Sequence, residues 1–253
     1  MYKVAKIKVT SKITDKKNLV IRLDYLLTML YQNGQILNNW IIEDYKDYLE
    51  VRVTTTDDDS LNEKYFNKYI VKELENFTLD ISILADDAGA TDCCHCADHS
   101  YYILAVNPND ASSPIICGDC GKEIPLIRIP YIFNQEEHYS ILNFQQIYTS
   151  VDHLWMNSLS DRFTKRQIIN HDSQLNKIGL DIVNELEKKV DRPVYLLVAN
   201  PIGGYFEFEK NNKNLDCCPK CGGEFRSVDN DYADKVCDKC RLAFITHEEE
   251  MYL

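Results

Sequence analysis

Cys217-Cys218-Pro219-Lys220-Cys221-Gly222-Gly223 is answered near the C-terminus by Cys237-Asp238-Lys239-Cys240. Two C-x-x-C turns so spaced are the pattern of a zinc ribbon. Each turn presents two sulfurs to one ion, and a glycine after the second cysteine lets the backbone fold over them. A second set lies upstream, Cys94-His95-Cys96 and then Cys117-Gly118-Asp119-Cys120-Gly121. The spacing predicts two four-cysteine sites, one from Cys94, Cys96, Cys117 and Cys120 and one from Cys218, Cys221, Cys237 and Cys240. Each is expected to hold one structural Zn2+, although four thiolates also suit iron or a cluster. His95, His99 and Cys93 are nearby substitutes for Cys94 or Cys96, while Cys93 and Cys217 are otherwise left over, as small buried residues or redox-sensing thiols. Four cysteines leave no open position for a water, so the metals are expected to staple the fold rather than catalyse.

Outward from the cysteines, the chain reads as α+β. Residues 2–10 are rich in β-branched side chains and predict a strand. Leu19, Leu23, Leu26, Leu27 and Leu30 have helical spacing, Asp15 is placed to cap that helix, and Asn33-Gly34 to stop it. Residues 36–43 and 48–56 predict two strands, and Asp57-Asp58-Asp59 a solvated acidic loop. Ser60 and Glu63 form a capping-box pattern before a second helix, and residues 79–84 close the series as a strand. Strand, helix, strand, strand, helix, strand is the ferredoxin-like order.

Further on, residues 101–106 and 123–131 predict strands, the latter edge-like because of its two prolines. Residues 136–156 and 161–189 predict helices, the second interrupted near His171-Asp172-Ser173, and residues 194–199 a short apolar strand. Asn200-Pro201-Ile202-Gly203-Gly204 reads as a turn and residues 211–214 as a linker. Three regions are therefore expected: 1–86, a ferredoxin-like domain; 87–210, an α+β region with the first zinc site; and 211–253, a C-terminal zinc ribbon.

Charge narrows the function classes. The chain of 253 residues carries 28 Lys and Arg against 40 Asp and Glu, a net charge of −12. Residues 1–86 hold 12 basic and 14 acidic groups, residues 87–191 hold 8 and 15, and residues 192–253 hold 8 and 11. No third of the chain is basic, which disfavours nucleic acid and favours a basic protein partner. The first residues are charged, with no apolar signal region, and no run approaches the length of a membrane span. The cytoplasm is the expected compartment, where ten cysteines read as metal ligands rather than disulfides.

These motifs carry a resemblance. Asn33-Gly34-Gln35-Ile36, Cys94-x-Cys96, Cys117-Gly118-Asp119-Cys120, Ile124-Pro125-Leu126-x-Arg128-Ile129-Pro130, Tyr139-x-x-Leu142-x-x-Gln145, Cys218-Pro219-x-Cys221-Gly222-Gly223-Glu224 and Cys237-Asp238-x-Cys240-Arg241-Leu242 run from end to end. Together they resemble a bacterial family of Zn-ribbon-containing proteins of unknown function to which a nucleic-acid-binding role has been attached. Phe225 stands where that pattern has tryptophan, and Cys93 and Cys217 are extra. The resemblance implies zinc at the cysteines. A looser similarity, confined to the doubled C-x-x-C-G motifs at Cys117 and Cys218, is to bacterial immunity proteins that neutralise a toxin of their own cell.

The expected function is therefore non-enzymatic: a zinc-binding protein that binds and neutralises a protein partner, as an immunity or antitoxin protein. The alternative is nucleic-acid binding by the ribbon through Lys220, Arg226, Lys235, Lys239 and Arg241, with Phe225, Tyr232 and Phe244 stacking on bases. A third reading, a zinc-dependent hydrolase, would draw on His171-Asp172 with His138 and His153. No nucleophile elbow, P-loop or dinucleotide fingerprint occurs in the chain.

Overall fold

The computed structural model describes residues 2–90, 92–109, 111–198 and 215–245. They form a mixed α+β protein with two sheets and five α-helices among the described residues. The chain divides into two units. The first is Met1–Cys93 with Ala111–Ser113 and Glu123–Tyr139; the second is Cys94–Asp110, Pro114–Lys122 and Ser140–Leu253.

The first unit has the expected ferredoxin-like order: β1 (Lys3–Ser11), α1 (Lys16–Gln32), β2 (Ile41–Asp44), β3 (Leu49–Thr55), α2 (Lys68–Leu74) and β4 (Phe77–Asp86). Its antiparallel sheet runs β2-β3-β1-β4, with Ile7 opposite Val51 on one side and Ile81 on the other. The Asp15 carboxylate accepts from the Asn18 N–H at 2.9 Å, as a helix cap should. Leu23, Leu26, Leu27 and Leu30 then share one face of α1 and are buried over Ala5, Ile7, Val9, Val51 and Val53. Burying each such leucine contributes about 1.5–3 kcal/mol.

Three local expectations change. Asn67, not the Ser60–Glu63 pair, caps α2, its side chain accepting from the N–H groups of Tyr69 and Ile70. Ser60 is instead buried, its hydroxyl donating to the Gln35 carbonyl at 2.8 Å. Residues 123–131 make no strand. Glu123 forms one bridge with Cys93, and Leu126–Arg128 is a 3-10 turn, because Pro125 and Pro130 cannot donate to a ladder. The acidic loop is not wholly solvated either: Asp57 is 7% exposed, and the Arg128 guanidinium holds it through both Nε (2.7 Å) and Nη2. The apolar motif around Arg128 thus brings the counter-charge for a buried carboxylate.

The second unit holds β5 (Tyr102–Leu104), β6 (Ile115–Cys117), α3 (Tyr139–Met156), α4 (Asp161–Ile169), α5 (Gln174–Val190), β7 (Val194–Leu197), β8 (Arg226–Asn230), β9 (Ala233–Cys237) and β10 (Leu242–Phe244). The interruption expected near His171-Asp172-Ser173 separates α4 from α5, and Ser173 caps α5, its Oγ accepting from Asn176 N–H at 3.1 Å. One six-stranded sheet runs β6-β5-β7-β10-β9-β8. The pairs β5–β7 and β7–β10 are parallel, so β10 of the ribbon joins the same sheet as the central strands. Gly179 brings α5 down onto that sheet: a Cβ there would sit 2.8 Å from Leu196 Cδ1 and 3.0 Å from Phe144 Cζ.

At one corner the sheet's edge strands meet, where the Asn230 amide at the end of β8 donates to the carbonyls of Cys117 (3.1 Å), the last residue of β6, and of Gly118 (3.0 Å) just after it. The expected boundary at residue 211, the turn at Asn200-Pro201-Ile202-Gly203-Gly204 and the linker at 211–214 lie outside the described residues.

Candidate metal centres

Both cysteine groups are assembled in the second unit. In the first, Cys117 ends β6 and Cys120 lies in the turn beyond it, while Cys94 and Cys96 come from the segment before β5. In the second, Cys218 and Cys221 come from the segment before β8, Cys237 ends β9, and Cys240 precedes β10. Within each group the four Sγ atoms lie within 4.8 Å of one another. Cys94 and Cys120 sulfurs are 3.5 Å apart, and those of Cys221 and Cys237 are 3.7 Å apart. A tetrahedron of 2.3 Å metal–sulfur bonds has edges of about 3.8 Å, so the donor sets fit one tetrahedral ion each. Among the described residues these are the two groups of three or more His, Cys, Asp or Glu ligand atoms so gathered.

The turns that aim the sulfurs close the same way three times. Gly121 N–H donates to Cys117 O (3.0 Å), Gly222 N–H to Cys218 O (2.8 Å) and Arg241 N–H to Cys237 O (2.9 Å). The donor is left-handed in each, with φ of +67° at Gly121 and Gly222 and +54° at Arg241. Glycine adopts that conformation freely, whereas a side chain makes it costly. Arg241 holds it with anchors: its guanidinium pairs with Glu187 of α5 at 2.7 Å and donates to Asp238 O at 2.8 Å.

Without a cation, four close thiols cannot all ionise. Burial pushes Cys94, Cys237 and Cys240 upward, and Cys117 up to about 11. In each group one sulfur goes the other way. Burial of Cys120 acts upward, but the Lys122 N–H and the surrounding thiols outweigh it, and Cys221 is brought down to about 7 by the Gly223 N–H and the Cys240 thiol. Because thiolate is the form that binds metal, an incoming cation would displace the remaining thiol protons on binding.

The neighbouring candidates are sorted by geometry. His99 Nε2 is 3.5 Å from Cys94 Sγ, and its ring stacks on Tyr102, so it stands beside the sulfur group rather than within it. Cys93 is buried with its Sγ 3.7 Å from Thr56 O, Cys217 is exposed, and His95 is exposed; none joins a sulfur group. Nothing in the spacing of Cys93 and Cys94 tells which sulfur turns inward.

The ribbon's basic cluster is largely committed to the fold. Arg226 pairs with Asp238 (3.1 Å) and donates to Tyr195 OH (2.8 Å), Arg241 pairs with Glu187, and Lys235 Nζ donates to Leu215 O at 3.0 Å. Tyr195 in turn donates to Asp238, and burial with that bond pushes its hydroxyl up to about 12. Of the candidate stacking rings, Phe244 is fully buried and meets Phe225 edge-on at 5.5 Å. Sequence reasoning missed this Arg226–Asp238–Tyr195 group because its members lie far apart in the chain.

The hydrolase candidates stay separate. His171 Nε2 lies 3.3 Å from Asp172, His153 is exposed, and His138 is 1% exposed in the other unit, lowered to about 3 by burial.

Comparison with known proteins finds similarity in the central region and along most of the chain. Residues 96–198, with Cys96, Cys117 and Cys120 among them, match a family described as a domain of unknown function, DUF2310. A protein of Haemophilus influenzae described as uncharacterized is 26% identical over 225 residues, 83% of this chain and 84% of that protein. A second from the same organism, also described as uncharacterized, is 27% identical over 165 residues, 63% of this chain and 78% of its own length. The chain is thus similar, over most of its length, to bacterial proteins.

Proposed function

We propose that this chain is a non-enzymatic protein in which two structural zinc ions staple the second unit, and which acts by binding a protein partner. The observation that carries this reading is the pair of closed four-sulfur groups. With every ligand a cysteine, neither group keeps the open position that a catalytic zinc needs for water or substrate. Zinc suits all-thiolate tetrahedra and a reducing compartment, and the net charge of −12 favours a partner with a basic surface, drawn in by long-range attraction. The doubled C-x-x-C-G motifs support the finer reading that the partner is a toxin and this chain its immunity or antitoxin protein. Ribbon binding to nucleic acid is the weaker alternative, because Arg226 and Arg241 are held by carboxylates.

The test joins metal analysis to partner capture. Two zinc ions per chain and a salt-sensitive protein partner recovered from the native host are expected. Metal bound with oxygen or nitrogen ligands would overturn the closed-site reading. Capture of nucleic acid alone, lost on reversing Lys239 and Arg241, would overturn the protein-partner reading.

A further inference from the structure

The arginines of this acidic chain are nearly all paired. Arg22, Arg52, Arg128, Arg192, Arg226 and Arg241 each lie within 4.0 Å of a carboxylate, with Glu73, Glu43, Asp57, Asp98, Asp238 and Glu187 respectively. The other two, Arg162 and Arg166, have no ion-pair partner among the described residues, although the chain carries 40 acidic side chains. They sit one turn apart on α4, both exposed, and line the same cleft of about 570 Å³ between α4 and the start of α5. Phe163 and Gln174 also line it, and Asp172 is the one carboxylate on its wall. The Phe163 ring at this cleft is 55% exposed, and in the chain leading into α4 Leu159 is 57% exposed and Met156 51%. On α4 itself only Thr164 and Ile168 are buried, so the face bearing Arg162, Phe163 and Arg166 points away from the core.

We infer that this face of α4 is a docking site for an acidic segment of a partner protein, with carboxylates on Arg162 and Arg166 and an apolar side chain against Phe163. A guanidinium takes a carboxylate through two parallel hydrogen bonds, and apolar neighbours strengthen such a contact by excluding water. Bare exposed ion pairs bind weakly, so the apolar surface is needed to give affinity. A polyphosphate strand fits poorly. It would meet two cations together with Asp161 and Asp172 on a chain of net charge −12, whereas a peptide spaces its carboxylates between apolar residues. The site needs neither metal nor a basic partner, and so stands apart from the reading above; its polarity is the reverse of the acidic surface proposed there.

The experiment titrates the full zinc-loaded chain with a fluorescent hexapeptide alternating glutamate with leucine and phenylalanine. Its lysine counterpart, a serine-for-apolar version and a single-stranded oligonucleotide are run alongside. Binding of the acidic apolar peptide is expected, weakened by salt, with about tenfold loss for each of Arg162→Gln and Arg166→Gln. Phe163→Ala should weaken it as well. These side chains are exposed, so an unchanged circular dichroism spectrum and metal content show that the variants remain folded. No binding of the acidic peptide, equal binding by the Arg162→Gln/Arg166→Gln double variant, undiminished binding of the serine version, or tighter binding of the oligonucleotide would each overturn the inference.

Discussion

Replacing His138 by phenylalanine should flatten the acid sensitivity of the first unit. The ring is 1% exposed, its Nδ1 has no hydrogen-bond partner, and burial holds its pKa at about 3 against an ordinary 6.5. The folded state therefore keeps the imidazole neutral. As pH falls below the ordinary value, the unfolded chain takes up a proton that the folded chain refuses, so stability is lost between about pH 6.5 and pH 3. At pH 5 the loss from this one group is about 2 kcal/mol, and at pH 7.5 it is close to zero. Phenylalanine cannot titrate, leaves no donor or acceptor orphaned, and keeps the ring contact with Tyr131, whose centroid is 4.9 Å away. Urea unfolding of His138→Phe and the parent, followed by Trp40 fluorescence in a Trp155→Phe background, reports the first unit. The variant's stability relative to the parent should rise by about 2 kcal/mol between pH 7.5 and pH 5. Any repacking cost is common to both pH values and cancels. A relative stability unchanged with pH would refute the reasoning, since it would mean that the imidazole takes its proton in the folded state as readily as in water.

Three further outcomes concern the metal centres. Cys120→Ser and Cys240→Ser should each leave one equivalent of zinc, read by elemental analysis; two equivalents retained would contradict the assignment of those ligands. Asn230→Ala removes both hydrogen bonds to the Cys117 and Gly118 carbonyls. It should cost about 1–3 kcal/mol and speed zinc loss to a chelator from the first site alone. Arg241→Gly and Arg241→Ala both lose the Glu187 pair, but only glycine relieves the left-handed backbone at φ +54°. The glycine variant should be the more stable by about 1 kcal/mol in thermal unfolding.

Most of the first unit is legible because its signals are local. The leucine spacing of α1, the Asp15 cap and the Asn33-Gly34 stop each act over a few residues, and the strand–helix order then leaves few ways to close a four-stranded sheet. The errors lie where distant groups compete. Ser60 is a good cap in isolation, yet its hydroxyl goes to Gln35 O, and Asn67 caps the helix instead. Asp57 reads as solvated until Arg128, 71 positions away, is folded against it.

The amino-acid sequence by itself determined six of the eight cysteines that could bind metal, because each of the C-x-x-C turns at Cys117, Cys218 and Cys237 brings two sulfurs together whatever surrounds it, while at Cys94 and Cys96 it left neighbouring substitutes open. It also set the acidic charge and the α+β class. Only the tertiary structure decided which turn meets which, that Cys93 faces Thr56 while Cys94 enters the sulfur group, and that β10 joins the central strands in one sheet. It alone distinguished committed arginines from available ones. Arg226 and Arg241 look like the binding cations of a ribbon, and folding pairs them with Asp238 and Glu187. Arg162 and Arg166 look like an ordinary helix surface, and folding leaves them without an ion-pair partner among the described residues, in a cleft also lined by the exposed ring of Phe163. Pairing depends on three-dimensional distance, which falls to a few ångströms between residues far apart in the chain, and no local pattern records it.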